Sequence, residues 1–254
     1  MDAQPIFLSE TLAALPEPWP DSLLPAIQER LAATERTLVV LDDDPTGTQT
    51  VHDVPVLTEW SAPALQAELA RRQPVFFVLT NSRSLPLAEA QALNAEIGRN
   101  LTRAAQAAGR DFAVVSRSDS TLRGHYPGEV DALAEGLGQR FDATLIIPFF
   151  LEGGRYTLND IHYVAEGDAL IPAAETPFAR DAAFGYRSSD LRDWVEEKTG
   201  GRVRAADVRA ISIEQLRSGG PRAVGRALME LADGAVCVVN AAEMRDMEVF
   251  VSGL

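Results

Sequence analysis

The feature of this sequence that most constrains its fold is a series of short, largely apolar runs separated by segments of helix length. Runs this short and this apolar are typical of strands buried in a parallel sheet, where helices cover both faces. The runs lie at 38–41, 75–79, 112–115, 144–147, 208–211 and 235–239. The alternation predicts an α/β fold with a doubly wound, mostly parallel sheet and helices on both faces, a Rossmann-like three-layer sandwich.

The segments around these runs complete the predicted architecture. Residues 1–36 are expected to form an N-terminal helical extension, and residues 37–254 the α/β domain. Residues 54–57 are predicted as an edge strand, because Pro55 is tolerated at the edge of a sheet. Residues 151–187 are expected to be irregular. The predicted helices lie at 61–72, 87–108, 128–137, 189–199, 221–232 and 243–254.

Composition and charge narrow the classes of function. The 254-residue chain carries a formal net charge of −14, which disfavours nucleic acid and anionic membrane surfaces as partners. No run approaches the roughly 18 apolar residues of a membrane helix, and the N-terminus lacks the pattern of a signal peptide. A cytoplasmic location is therefore expected. Lys198 is the only lysine among the 23 basic residues, and so many arginines in an acidic chain suggest a small anionic ligand.

Four of the predicted strands are each followed at once by a dense polar cluster. The clusters lie at 42–50, 80–84, 116–125 and 148–155. A single cluster of Asp, Ser and Gly is usual in a turn. Ligands of open parallel sheets, however, bind at the carboxyl ends of the strands. Four clusters at this end therefore predict a binding site.

The residue types in these clusters fit a small polyhydroxy acid. Guanidinium groups bind carboxylates with paired hydrogen bonds and can steady a phosphoryl group. The candidate arginines are Arg83, Arg117, Arg123 and Arg155. Carboxylates accept hydrogen bonds from sugar hydroxyls, and one of them could deprotonate the attacking hydroxyl. The candidate carboxylates are Asp43, Asp44 and Asp119.

Three further observations bear on the same clusters. Thr46 and Gly47 let the backbone approach a ligand closely, and His125 is a candidate substrate contact. The histidines show no metal-ligand spacing, so no metal site is predicted. A purely structural alternative stays open, in which the aspartates cap the following elements and the arginines form surface salt bridges.

The motifs in these clusters resemble those of the N-terminal, substrate-binding domain of the four-carbon acid sugar kinases. The most specific motif, Asp-Ser-Thr-Leu-Arg-Gly, is intact at 119–124. The others are Asp-Asp-x-Thr-Gly at 43–47, Ser82-Arg83, and Pro148, Phe150, Gly154-Arg155 and Thr157, with Glu175-Thr176 and Asp181 further on. Together they span roughly residues 37–250, which is most of the chain.

The resemblance implies an ATP-dependent kinase that phosphorylates a hydroxyl of a four-carbon sugar acid such as threonate, erythronate or an oxo-tetronate. It implies Asp44 and Asp119 as the catalytic candidates, with the choice of base left open. The substrate-binding residues would be Asp43, Thr46, Gly47, Ser82, Arg83, Arg117, Ser120, Arg123, Gly124, His125 and Arg155. ATP and Mg²⁺ are expected to bind with a C-terminal nucleotide-binding domain and not to this chain alone. A homodimer is one candidate assembly.

Two other classes of function remain as alternatives. Residues 42–46 satisfy the Asp-x-Asp-x-Thr pattern of haloacid-dehalogenase-like phosphatases, in which Asp42 would be the nucleophile and Asp44 the acid/base. This alternative is weakened because no lysine precedes Lys198 and no paired aspartates follow a later strand. The second alternative is a non-catalytic module that binds a sugar acid.

Overall fold

A computed structural model gives the structure of residues 4–47 and 51–254. Its strands are β1 (Ile6–Phe7), β2 (Thr37–Asp42), β3 (Val56–Leu57), β4 (Val75–Leu79), β5 (Phe112–Arg117), β6 (Ala143–Ile146), β7 (Arg155–Leu158), β8 (Ile161–Glu166), β9 (Ala169–Pro172), β10 (Arg209–Ile211) and β11 (Ala235–Val239). Its α-helices are α1 (Leu8–Ala14), α2 (Leu24–Ala33), α3 (Ala62–Ala70), α4 (Leu87–Ala108), α5 (Gly128–Leu137), α6 (Leu191–Lys198), α7 (Ile213–Arg217), α8 (Gly220–Met229) and α9 (Met244–Gly253).

The chain divides into two compact units. Unit 1 comprises the N-terminal residues through Gln28, the segment Ser120–Arg123, and Phe141–Leu254. Unit 2 comprises Glu29–Asp119 and Gly124–Arg140. The Asp-Ser-Thr-Leu-Arg-Gly motif at 119–124 is therefore divided between the units, because its four central residues belong to unit 1 whereas Asp119 and Gly124 belong to unit 2.

Unit 2 is built on a parallel sheet with the strand order β3-β4-β2-β5. Helices α3, α4 and α5 supply the apolar side chains that bury one face of this sheet. Burial of each large aliphatic side chain contributes about 1.5–3 kcal/mol. The core comprises Val39, Leu41, Leu65, Leu69, Phe76, Val78, Ile97, Leu101, Ala104, Leu133 and Leu137. Ser61 caps α3 by accepting a hydrogen bond from the Ala64 amide.

Unit 1 holds a second parallel sheet, with the order β10-β11-β6, and an antiparallel sheet with the order β1-β9-β8-β7. Helices α7, α8 and α9 pack on the parallel sheet around Leu216, Val224 and Phe250. Two-residue turns, Asn159-Asp160 and Gly167-Asp168, connect β7 to β8 and β8 to β9. Both turns contain left-handed residues, as tight hairpins require.

The predicted class, α/β with parallel sheets flanked by helices, is confirmed. The strands expected in one sheet are divided between two parallel sheets, one in each unit. The prediction that residues 151–187 are irregular is wrong, because β7, β8 and β9 lie there. The N-terminal residues do more than form helices, since β1 pairs with β9.

Among the residues that the structure describes, no helix is long and apolar enough to cross a membrane.

Candidate functional site

The aspartate run at 42–44 lies at the carboxyl end of β2, the strand between β4 and β5. Asp42 pairs opposite Leu79 of β4 and Arg117 of β5. The polar clusters that follow β4 and β5 therefore begin beside the aspartates. The backbone fixes this arrangement, because the amide and the hydroxyl of Thr80 both donate to the Asp42 carbonyl, at 2.8 and 2.9 Å.

Asp43 and Arg83 form a buried ion pair with two parallel hydrogen bonds. Nε and Nη2 of Arg83 donate to the two carboxylate oxygens of Asp43 at 3.1 and 2.5 Å. The hydroxyl of Ser118 donates to the same carboxylate at 2.6 Å. The third guanidinium nitrogen, Nη1, donates to Asp44 at 2.9 Å. Arg83 thus joins two aspartates, which differs from the surface salt bridge of the structural alternative.

Asp44 is the more accessible partner of Arg83, with a quarter of its side chain exposed. Its Oδ1 accepts hydrogen bonds from the amide and the hydroxyl of Thr46, at 2.7 and 2.6 Å. Burial by itself raises the pKa of Asp44, but the Thr46 hydrogen bonds and the charges of Arg83 and Arg117 outweigh it and hold this pKa below its ordinary value. Asp44 is therefore a carboxylate, and a hydrogen-bond acceptor, at neutral pH.

Asp42 is fully buried, and Arg117 donates to its Oδ1 from 3.1 Å. Burial raises the pKa of Asp42 above its ordinary value, although the charge of Arg117 acts in the opposite direction. Within the described part of the chain, Oδ2 of Asp42 has no hydrogen-bond partner. A Cβ at Gly47 would collide with both carboxylate oxygens of Asp42 and with the Arg117 guanidinium. Only glycine fits at this position.

Ser82 and His125 are predicted substrate contacts, and both bond to the segment that follows β4. Ser82 is almost fully buried, and its hydroxyl lies 3.0 Å from that of Thr80. The His125 ring donates from Nε2 to the Leu85 carbonyl at 2.9 Å. Gly124 lies at φ +151°, and a Cβ there would collide with the Ser118 hydroxyl.

The sequence reasoning missed Glu129, a buried acid in the first turn of α5. It accepts a hydrogen bond from the Asn94 amide at 3.1 Å and another from Ser82. Burial raises the pKa of Glu129, and the nearby Asp43 charge adds to this shift. Glu129 thus connects α4 and α5 to the loop that carries Arg83. A glutamate inside a predicted helix gives no pattern that distinguishes it from a solvated one.

In unit 1, the segment Ser120–Arg123 is held by its backbone carbonyls. The ring of His162 contacts the Ser120 carbonyl at 2.7 Å, and the hydroxyl of Tyr186 donates to the Thr121 carbonyl at 2.8 Å. Leu122 is buried, with 6% of its surface exposed. Ser120 and Arg123 are left partly accessible, whereas Thr121 is buried.

Arg123 and Arg155, also in unit 1, lie against the same aromatic ring. Their guanidinium carbons are 5.0 and 5.6 Å from the centre of the Phe178 ring, within the range of cation–π contacts. Asp181 lies 3.9 Å from Arg123. Hydrogen bonds from the amides of residues 183 and 184 hold the pKa of Asp181 below its ordinary value. Two cations and one anion therefore share a small area that suits an anionic ligand.

The predicted site residues thus fall into two groups, one in each unit. Those in unit 2 are Asp43, Asp44, Thr46, Gly47, Ser82, Arg83, Arg117, Asp119, Gly124 and His125. Those in unit 1 are Ser120, Arg123 and Arg155. Across residues 4–47 and 51–254, no group of three or more His, Cys, Asp or Glu side chains could hold a metal ion.

Two solved structures resemble this chain in fold. A Haemophilus influenzae protein of the DUF1537 family is 16% identical, with a TM-score of 0.59 over 85% of this chain and 50% of that one. A domain of unknown function (DUF1537) from Bordetella bronchiseptica, solved with bound citrate as a domain-swapped dimer, is 26% identical, with a TM-score of 0.59 over 82% of this chain and 48% of that one. This chain therefore spans about half the length of these proteins. No curated protein matches it significantly.

A family model supports the resemblance that the motifs carry. The model, described as a sugar-binding N-terminal domain, matches residues 38–254. This range contains every aspartate and arginine of the two groups described above. The chain belongs to the family of sugar-binding N-terminal domains.

Proposed function

We propose that this chain is the substrate-binding domain of an ATP-dependent kinase that phosphorylates a hydroxyl of a four-carbon sugar acid. The observation that carries the proposal is the aspartate cluster at the ends of three parallel strands, with Asp44 held ionised and partly exposed. Such a carboxylate is a good acceptor for sugar hydroxyls. Arg83 and Arg117 beside it supply positive charge.

The relative from Bordetella bronchiseptica supports the ligand class. It was solved with citrate, a hydroxy acid with several carboxylates. A four-carbon sugar acid has the same combination of carboxylate and hydroxyl on a small skeleton. We therefore propose that this chain also takes a small hydroxy acid, and that Arg123 and Arg155, which share the Phe178 ring in unit 1, bind its carboxylate.

Roles within the aspartate cluster follow from burial. Asp43 and Arg83 bond to each other, and Ser82 bonds to Thr80 and Glu129, so we assign these three residues to holding the cluster together. Asp44 and Asp119 are the candidates for the base that takes the hydroxyl proton. Because its pKa is lowered, Asp44 suits hydrogen bonding to the substrate better than proton transfer, which favours Asp119 as the base.

ATP and Mg²⁺ enter this proposal only through a second, nucleotide-binding domain. The cluster's carboxylates already bond to guanidinium groups: Asp43 and Asp44 to Arg83, and Asp42 to Arg117. This donor set does not fit a divalent cation, which prefers several free oxygen ligands. We therefore assign no metal ligand and no nucleotide contact to the described residues.

The burial of Asp42 argues against the phosphatase alternative. An aspartate nucleophile must meet phosphorus in line with the leaving group, whereas the Asp42 side chain has no exposed surface and is enclosed by Gly47 and Arg117.

Titration calorimetry tests the ligand class directly. The chain is titrated with threonate and erythronate, and with the neutral polyols threitol and erythritol as matched controls. We expect the acids to bind and the polyols not to bind. Equal binding of acids and polyols, or no binding of either, would overturn the proposal. Phosphoryl transfer to the bound acid is then assayed together with the nucleotide-binding domain.

A further inference from the structure

The segment that carries Arg123 is anchored by a histidine that takes no part in the proposed chemistry. Nε2 of His162 lies 2.7 Å from the Ser120 carbonyl. A carbonyl oxygen only accepts hydrogen bonds, so Nε2 carries the hydrogen and donates it. His162 has no exposed surface, and an unsatisfied carbonyl at this depth would be costly.

Thr157 fixes the orientation of this ring. Thr157 and His162 are cross-strand partners in β7 and β8, and the threonine hydroxyl lies 3.0 Å from Nδ1. With the hydrogen on Nε2, Nδ1 of a neutral ring accepts and the hydroxyl donates. Both residues are fully buried, so the antiparallel hairpin presents one donor in a fixed direction to Ser120.

The anchored segment is short enough for this contact to matter to Arg123. Only Thr121 and Leu122 separate Ser120 from Arg123, and Nε of Arg123 donates to the Thr121 hydroxyl at 3.3 Å. The buried Leu122 and the bond from Tyr186 to the Thr121 carbonyl leave the segment little freedom.

We propose that His162 is a positioning residue for anion binding by Arg123, which it serves by holding the Ser120 carbonyl. The proposal rests on the proposed function, in which Arg123 contacts the carboxylate of a sugar acid. His162 itself contacts no ligand. Its imidazole and the Thr157 hydroxyl act as one unit, built into the hairpin of unit 1.

Two substitutions separate the donor from the bulk of the side chain. His162→Gln keeps an N–H that can reach the Ser120 carbonyl, whereas His162→Met fills similar space without a donor. For the best-binding four-carbon acid, we expect His162→Met to raise the Kd about tenfold and His162→Gln to stay near the wild type. Tyr163→Phe, a buried neighbour in the same strand, is the matched control and should leave the Kd unchanged.

A double-mutant cycle shows whether His162 acts through Arg123. In an Arg123→Ala background, His162→Met should have little further effect on the Kd, because the residue it positions is gone. A general loss of stability would instead weaken binding equally in both backgrounds. Where His162→Met fails to fold, Thr157→Val replaces it in the cycle, with an expected three- to tenfold rise in Kd.

The outcomes distinguish this inference from the proposed function. If the wild type binds no four-carbon acid, the proposed function fails and the inference falls with it. If the wild type binds and the cycle is additive, or if the Gln and Met variants lose affinity equally, only the inference is overturned. Binding with strong coupling between the two positions supports both.

Discussion

At the scale of single residues, the aspartate cluster depends on a position that has no side chain. Gly47 packs against the carboxylate of Asp42 and the guanidinium of Arg117. A methyl group there would force this ion pair apart, and overpacking of this kind typically destabilises by about 1–3 kcal/mol. We therefore expect Gly47→Ala to lower the free energy of unfolding by that amount and to weaken sugar-acid binding, as measured by denaturant titration and calorimetry.

Gly138→Ala is the control for this prediction. Gly138 also lies in unit 2, at φ +65°, and an added Cβ would meet no atom within 4 Å. Its substitution therefore carries the strain of a left-handed backbone, about 1 kcal/mol, without disturbing the ion pair. Stability should fall while binding stays intact. If the two alanine variants bind the sugar acid equally well, Gly47 has no role in the binding site.

Arg123 makes the second prediction at this scale. Its side chain is 30% exposed and contacts Phe178, so it can meet a ligand without leaving its place. Loss of a hydrogen bond to a charged group costs about 1.5–3 kcal/mol. Arg123→Ala should therefore raise the Kd for the sugar acid about tenfold to a hundredfold, with little change in melting temperature. An unchanged Kd would make Arg123 part of the scaffold.

At the scale of elements, the sequence predicts what depends on apolar patterns and misses what depends on buried hydrogen bonds. The strand at 75–79 and the helices at 87–108 and 128–137 are observed at the predicted residues, because continuous or periodic apolar residues mark them. The β7–β8 hairpin was not predicted because two of its buried side chains, Thr157 and His162, are polar and hydrogen-bond to each other. The Asn159-Asp160 turn was the signal that could have found it.

The same distinction applies to the candidate site: residues in visible motifs were predicted, whereas buried supporting residues were missed. The motif residues were identified because polar clusters follow four predicted strands at the end where parallel sheets bind their ligands. Glu129 and His162 support those residues from within a helix and a strand, and neither stands in a motif whose chemistry is visible in the sequence. Their partners, Asn94 and Ser120, lie 35 and 42 residues away in the chain, so only the fold brings them together.

A buried ion pair ties the N-terminal segment and α9 to α7, and it makes the prediction at this scale. Arg217 donates to both oxygens of the fully buried Asp246 at 2.8 and 3.0 Å and to the Pro16 carbonyl at 2.8 Å. Arg217→Met would leave the Asp246 charge without its partner, and we expect a loss of about 3–5 kcal/mol in the free energy of unfolding.

The matched control for this ion pair is Arg187→Met. Arg187 pairs with Glu197 at 3.4 Å, but 88% of its side chain is exposed. Exposed pairs of this kind contribute about 0–1 kcal/mol, so the control should unfold almost like the wild type. Similar losses in the two variants would indicate that Arg217 contributes only packing.

At the scale of the whole molecule, stability depends on carboxylates whose pKa values move in opposite directions. The net charge of −14 means that acidification relieves repulsion across the chain. Individual carboxylates act on top of this trend, according to whether the folded state favours the charged or the neutral form. Asp44 and Glu129, both in unit 2, represent the two cases.

The direction of each pH effect on stability follows from the difference in pKa between the folded and the unfolded chain. Asp44 has a lowered pKa in the folded state. Its contribution to the free energy of unfolding is therefore present above the unfolded-state pKa of about 4 and is lost as the pH falls through the folded-state pKa. Glu129 has a pKa raised mainly by burial, so its contribution is full below about pH 4 and is lost as the pH rises through the folded value.

Opposite pH trends are therefore expected for Asp44→Asn and Glu129→Gln. The stability deficit of Asp44→Asn relative to the wild type should be largest near pH 6 and shrink towards pH 3, because the wild type loses its ionised Asp44. Glu129→Gln should gain on the wild type as the pH rises from 4 to 7, because glutamine never carries the buried charge. Urea unfolding of the three proteins across this range measures both trends. Parallel curves for the two variants would mean that neither carboxylate titrates differently in the folded and unfolded chain, and would show that Arg83 and Thr46 do not stabilise the charged form of Asp44.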